Sequence, residues 1–301
     1  MQRPDLNDAD RRGATHDESL ALARPLSLLS PRGLYWAATR FGMKIGGLLS
    51  AGVRLGHATG FDSGSTLDYI YRNTPTGRGL LGRMIDSNYL NAIGWRGIRQ
   101  RKLHIEELLR RAMDVRHGEQ GDIHVMDIAA GHGRYVLEAL EQYPHRPASI
   151  LLRDFSDLNV RAGAALIEQK GLAGIARFVP GDAFDAASLA AVTPKPTIGI
   201  VSGLYELFPE NDAVRRSLAG LAAAVEPGGF LLYTGQPWHP QLELIARALT
   251  SHRQGQAWVM RRRTQAEMDQ LVAEAGFEKI EQRIDQWGIF TVSLARRRAS
   301  A

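Results

Sequence analysis

His124-Val125-Met126-Asp127-Ile128-Ala129-Ala130-Gly131-His132-Gly133-Arg134-Tyr135 decides how this chain folds. A short apolar strand ends in an acid and a loop of small residues. An amphipathic helix, Tyr135-Val136-Leu137-Glu138-Ala139-Leu140, opens directly behind it. That is the strand–loop–helix opening of a nucleotide-type α/β domain. Missing side chains in such a loop let a ligand approach backbone N–H groups at a helix N-terminus. Any Gly-rich turn imitates the pattern, so its weight depends on whether further strands and acids stand downstream at the right intervals.

Two such strands do. Ser149-Ile150-Leu151-Leu152-Arg153-Asp154-Phe155 ends in an acid placed to hydrogen-bond ribose hydroxyls from the second strand tip. Ala176-Arg177-Phe178-Val179-Pro180-Gly181 runs into Asp182-Ala183-Phe184. There a carboxylate can accept from an adenine amino group, the Ala183 N–H can donate to a ring nitrogen, and Phe184 can stack on the base. Dinucleotide binding asks for G-x-G-x-x-G or A, and counting from Gly131 the last position is Val136. That departure argues against NAD.

With these motifs the chain resembles the class I (Rossmann-like) SAM-dependent methyltransferases over roughly residues 120–296. Asp127 through Gly133 matches their first motif, Asp154 their ribose acid and Asp182-Ala183-Phe184 their adenine motif. Ala129 stands where the family usually has its first Gly, which is tolerable if φ stays negative. The resemblance implies S-adenosylmethionine (SAM) as cofactor. The implied binding set is Asp127, Ala129, Gly131, Gly133, Asp154, Phe155, Asp182, Ala183, Phe184 and Ser202. It also implies a Rossmann-like, seven-stranded, mostly parallel sheet closed by a C-terminal antiparallel hairpin. Asp127–Tyr135 and Gly203-Leu204-Tyr205-Glu206-Leu207-Phe208-Pro209 are similar, more narrowly, to a bacterial methyltransferase group found fused to or beside α/β-hydrolases.

Composition narrows the chemistry. Among 301 residues there is no cysteine, which excludes disulfides, thiolate zinc sites and a cysteine nucleophile. The net charge of +5 is compatible with RNA, an anionic membrane surface, or solubility alone. The polar start has no apolar leader, and no uncharged stretch approaches membrane length, so the expected place is the cytoplasm, at most peripheral at the inner face of the membrane. Residues 1–20 read as a disordered tail and 21–118 as a helical extension or lid. From 119 to 298, strands alternating with helices form the SAM-binding domain. Strands are expected near 123–128, 149–153, 176–179, 198–202, 230–234, 279–285 and 289–295. A helix is expected from Asp212 to Val225, and Thr264 with Glu267 forms a capping box.

Ligands of open parallel sheets bind beyond the strands' carboxyl ends. The candidate catalytic residues there are Tyr205 and Glu206 after the fourth strand and His239 after the fifth. Tyr205-Glu206 stands about where similar plant-type O-methyltransferases carry a His-Asp pair. For Tyr205 the alternative is core packing, and for His239 a structural role. His132 is expected to shape the glycine loop or touch the methionine carboxylate. No metal is required. Segments 68–75 and 94–96 mix aromatics with arginines, as a lid would. Arg261-Arg262-Arg263 and Arg296-Arg297-Arg298 read as a solvated face and a frayed tail. In the stretch 34–55, Arg40, Lys44 and Arg54 fall near one helical face and Leu34, Phe41, Ile45, Leu48 and Leu55 on the other. Such a helix lies on an anionic bilayer or caps its own domain. The expected activity is methyl transfer from SAM to a small or lipid-like acceptor by in-line displacement. An RNA methyltransferase using the arginines, or a non-catalytic SAM-fold partner, is the alternative. No recognisable RNA-binding module precedes the core, and the oligomeric state stays open.

Overall fold

The structure, a computed structural model, describes residues 13, 15–119, 121–141 and 143–299. Among these residues six helices precede the first strand: α1 (His16–Ala23), α2 (Pro31–Leu49), α3 (Ala51–Thr59), α4 (Gly64–Arg72), α5 (Gly79–Leu90) and the 26-residue α6 (Ile93–Gly118). Then β1 (His124–Asp127), α7 (Arg134–Glu141), β2 (Ser149–Asp154), α8 (Asp157–Gln169), β3 (Ala176–Pro180), α9 (Ala186–Ala190) and β4 (Ile198–Val201) alternate. A 3-10 turn (Tyr205–Leu207) leads into α10 (Asn211–Ala224), β5 (Phe230–Gly235), α11 (Leu242–Ala248), α12 (Gln265–Glu274), β6 (Phe277–Ile284) and β7 (Thr291–Arg297).

The strands form one sheet in the order β3-β2-β1-β4-β5-β7-β6. β1 to β5 are parallel, and β6 and β7 run antiparallel, as expected for the C-terminal hairpin. Strand order reverses between β1 and β4, so the crevice beyond their carboxyl ends is where a ligand can enter between diverging loops. Alternation along each strand feeds two cores. On β5, Phe230 and Leu232 face α6 and α7, while Leu231 and Tyr233 face α10 and α12. Val214, Leu218 and Leu221 supply one apolar stripe of α10 at helical spacing. Each such fully buried side chain stabilises the fold by roughly 1.5–3 kcal/mol.

A third cluster joins α3 to α6 with α11 and the segment 249–260. α6 links the cores: Trp95 and Ile98 belong to this cluster, Leu108 and Met113 to the sheet's core. The stretch 34–55 is broken at Ser50, which ends α2 and caps α3 by accepting from the Val53 N–H. Of the tail expected to be disordered, residues 1–12 and 14 lie outside the described residues, but His16 to Leu20 sit in α1. They are held because His16 Nε2 lies 2.8 Å from Glu210 and Arg262 donates to Glu18 at 2.7 Å. Half of the expected capping box forms: the Thr264 hydroxyl accepts from the Glu267 N–H, while the Glu267 carboxylate is drawn away to Arg261 and Asn211.

Candidate active site

The glycine loop is shaped from below. Asp127 is wholly buried and accepts from the Ala129 N–H and the Tyr135 hydroxyl; burial pushes its carboxyl up to about 7. It therefore sets the loop's form instead of facing a ligand, which corrects its place in the expected binding set. Ala129 is not among the positive-φ residues, so a side chain is tolerated there, whereas Gly131 and Gly133 have φ of 58° and 70°. A Cβ on Gly133 would fall 2.3 Å from Leu152.

Beyond the loop lies a cavity of about 840 Å³. Ala129, Gly131, Gly133, Asp154, Phe155, Asp182, Ala183, Phe184 and Ser202 all line it. Asp154 accepts from the Gly131 N–H (2.9 Å) on Oδ2, and from the Ser156 N–H (2.9 Å) and Asn159 (3.0 Å) on Oδ1. An ionised carboxylate offers about four lone-pair directions. One direction on Oδ2 is left for a ligand. Asp182 accepts from the Phe184 N–H at 2.8 Å, and Phe184 meets Phe208 edge-on with centroids 4.4 Å apart. Among the described residues the buried Ser202 hydroxyl has no hydrogen-bond partner. Phe155 stands exposed on the rim.

The extension closes this cavity's other side. Gly64, first residue of α4, abuts the loop so closely that a Cβ there would lie 2.7 Å from Gly131 Cα. Asp68 accepts from Arg134 at 2.6 Å, and Ser65 meets His132 at 3.2 Å. Burial alone would raise Asp68, but the hydrogen bonds and charges of His132 and Arg134 bring it down to about 2. His132 thus ties the loop to α4.

A second, smaller chamber of about 280 Å³ adjoins the first, and Asp62, Leu67, Arg101, Gly203 and Leu207 line both. Its walls are mostly apolar, with Trp95 and Trp258 stacked at 5.9 Å. Glu206 and His239 face it. Between the two spaces sits Arg101, only 2% exposed, with Nη1 3.5 Å from Glu206, the guanidinium over Phe290, and Nε without a hydrogen-bond partner among the described residues. Sequence reading missed Arg101. Its signal is an arginine on the apolar stripe Trp95, Ile98, Ile105, Leu108, where a charge needs a buried partner.

Two of the expected catalytic residues change role. Tyr205 is buried, its hydroxyl donates to Ser217 at 2.9 Å on α10, and burial pushes its pKa up. It faces away from both cavities and cannot touch an acceptor. His239 Nδ1 accepts from the Gln241 N–H at 3.0 Å, which assigns the proton to Nε2. Burial lowers its pKa to about 4. A neutral ring with one nitrogen engaged and the other protonated is a donor, not a base. Glu206 keeps the expected position.

The arginine run is also not a solvated face. Arg261 and Arg263 are 1% and 3% exposed, because the 205–209 turn leaves carbonyls pointing inward. Arg263 donates to Tyr205 (2.6 Å) and Phe208 (2.7 Å), and Arg261 donates to Pro209 (2.6 Å). Burial lowers Arg263 to about 10. Near the C-terminus, Arg296 and Arg297 lie in β7 and bond to Gly228 and Val225 carbonyls. These arginines are engaged within the fold and do not form a phosphate track.

Comparison with known proteins places this geometry. The model of a family described as "Putative methyltransferase" matches residues 1–297. An Escherichia coli K12 protein, "Uncharacterized protein YnbC", is 55% identical over 297 residues, 99% of this chain; the chain spans about half of that relative, 51% of its length. A solved structure described as a "possible exported protein" from Bordetella parapertussis is similar over 90% of this chain and 100% of its own, at 16% identity and a TM-score of 0.59. Magnesium protoporphyrin IX methyltransferase from Synechocystis PCC 6803, solved with SAH, is similar over 80% of this chain and 98% of its own, at 15% identity and a TM-score of 0.53. At these identities the solved structures share a fold with the chain.

Proposed function

The chain belongs to this methyltransferase family, and on that premise we propose that it moves a methyl group from SAM to a hydroxyl of a small apolar acceptor. The observation that carries the proposal is the meeting of two unlike cavities at Arg101 and Gly203. One is ringed by a glycine loop and carboxylates, the other by tryptophans.

The larger cavity fits the methyl donor. Its free acceptor direction on Asp154 suits a ribose hydroxyl, the partnerless Ser202 hydroxyl awaits a polar group, and Phe184 offers an aromatic wall. Bound there, SAM would supply an electrophilic sulfonium methyl carbon: the acceptor oxygen would bond to it in line as the C–S bond breaks, and SAH would leave with the electron pair. The protein's own residues act on the acceptor. Glu206 takes the hydroxyl proton, Arg101 donates to the oxygen as charge builds, and the His239 Nε2–H donates from the chamber wall. A carboxylate beside two donors matches a hydroxyl, which both gives and accepts. An ionised carboxylic acid would bring no proton for Glu206 to take. Alignment supplies much of the rate, since positioning alone is worth roughly 7–11 kcal/mol in favourable cases.

The test is calorimetry with SAM, then transfer of labelled methyl groups to phenols and long-chain alcohols against a matching set of carboxylic acids. Asp154→Ala should weaken SAM by roughly 1.5–3 kcal/mol, the range for a charge-assisted hydrogen bond. A protein that binds no SAM would overturn methyl transfer. Label appearing in methyl esters in place of ethers would overturn the hydroxyl.

A further inference from the structure

α2 has two apolar faces and only one of them is covered. Trp36 and Gly47 are buried and Met43 is partly so, reaching the smaller chamber. On the opposite side Leu34, Phe41, Ile45 and Leu48 succeed one another at helical spacing and are 59%, 66%, 50% and 65% exposed. α5 lies alongside, tied by the Arg78 N–H donating to the Leu49 carbonyl at 2.8 Å. It adds Leu80, Leu81 and Met84, all strongly exposed. Single exposed leucines are ordinary, but seven large apolar residues on two touching helices mark an interaction surface.

Among the described residues the unpaired charges around this surface have one sign, because Glu243, the acid that reaches α2, is taken up by Arg32 and the Trp36 Nε1–H. No acid occurs between Glu18 and Asp62. The sole acid of α5, Asp86, is fully buried and held by Ser50, Gly52 and Tyr69. Arg32 and Arg40 are committed to α11 and its N-terminal turn, through Glu243 and the Arg247 carbonyl. Lys44, Arg78 and Arg83 are exposed, and among the described residues none of them has an ion pair. An apolar stripe edged only by unpaired cations complements acyl chains beneath anionic headgroups. A second copy docking the same face would set cation against cation.

We propose that the α2–α5 face docks reversibly, in the plane of the interface, on an anionic lipid bilayer. No helix among the described residues is long and apolar enough to cross a membrane. The apolar side chains enter the headgroup boundary, and Lys44, Arg78 and Arg83 pair with phosphates. This inference stands apart from the methyl-transfer reading. Of the cations expected from sequence it keeps Lys44, while Arg40 is engaged on α11 and Arg54 lies on α3 beyond the break at Ser50; it also explains why Phe41 and Ile45 are left in water.

Sedimentation with sucrose-loaded vesicles tests it. The whole protein should pellet with phosphatidylglycerol-containing vesicles at low salt and be released at high salt. It should stay in solution with pure phosphatidylcholine. Replacing Lys44, Arg78 and Arg83 together by Gln should weaken attachment roughly hundredfold, about fivefold for each cation. Phe41→Ser with Leu48→Ser should abolish it while leaving SAM affinity unchanged and the thermal melt within a few degrees, because both side chains are about two-thirds exposed. Equal binding to neutral vesicles would overturn the proposal. So would no vesicle binding accompanied by concentration-dependent dimers that the Phe41/Leu48 variant dissolves, which would give the face to a second copy.

Discussion

Replacing Asp127 by Asn should flatten the dependence of this protein's stability on pH. The Asp127 carboxyl lies wholly buried beneath the glycine loop. Burial raises its pKa from 3.8 to about 7; bonds from Tyr135 and Ala129 offset only part of the rise, and the Asp154 charge adds to it. The unfolded chain releases this proton near its ordinary value, while the folded protein retains it until about neutrality. Stability from this group is therefore fully present below the unfolded pKa and is lost as pH rises through the folded one. Three pH units at about 1.4 kcal/mol each make the full loss about 4 kcal/mol. Asn keeps an acceptor for the Ala129 N–H and does not titrate. Urea melts of both proteins, monitored by circular dichroism at about pH 5 and about pH 8, should show the variant gaining on the wild type by roughly 2.5 kcal/mol between the two conditions. A difference that is the same at both pH values would refute the reasoning, whatever its size.

Glu206→Gln should cut turnover by a factor on the order of 100 with SAM affinity intact, whereas Tyr205→Phe, which loses only the bond to Ser217, should leave turnover within a few-fold. Equal losses in the two variants would return Tyr205 to the reaction. The Arg263 guanidinium satisfies the carbonyls of Tyr205 and Phe208 and the Asn211 side chain, so Arg263→Met should cost about 3 kcal/mol or more in chemical denaturation. A normal melt would mean the 205–209 turn is held by other means.

The parallel part of the sheet was legible because its strands are short, largely apolar runs that end in turn residues, and all seven strands appear within a few residues of their expected places. The loop residues that line the larger cavity were legible for a related reason: their roles belong to backbone conformation, and small residues advertise it. The orientation of side chains around a single turn was not. Tyr205 and Glu206 are neighbours on a 3-10 turn, and which of them faces the chamber depends on how α10 and Arg263 seize that turn. Nothing local to Gly203–Pro209 encodes it. Arg261 and Arg263 were misjudged likewise, because the carbonyls they satisfy lie more than fifty residues away in sequence. Arg101 was different: it interrupts an apolar stripe of α6, and a stricter reading of that periodicity finds it.

α6 has a consequence for how the activity could diversify. One uninterrupted helix, about 39 Å long at 1.5 Å per residue, carries Trp95 and Arg101 at one end and Leu108 to Met113 at the other. The part that lines the smaller chamber and the part that braces the sheet are thus a single rigid rod. Cutting the chain after this helix would strip a wall from the sheet and leave an amphiphilic fragment, so the two regions cannot be inherited or exchanged as independent cassettes. New acceptors would have to be gained by side-chain replacement along the first turns of that rod, while its far end stays answerable to the core.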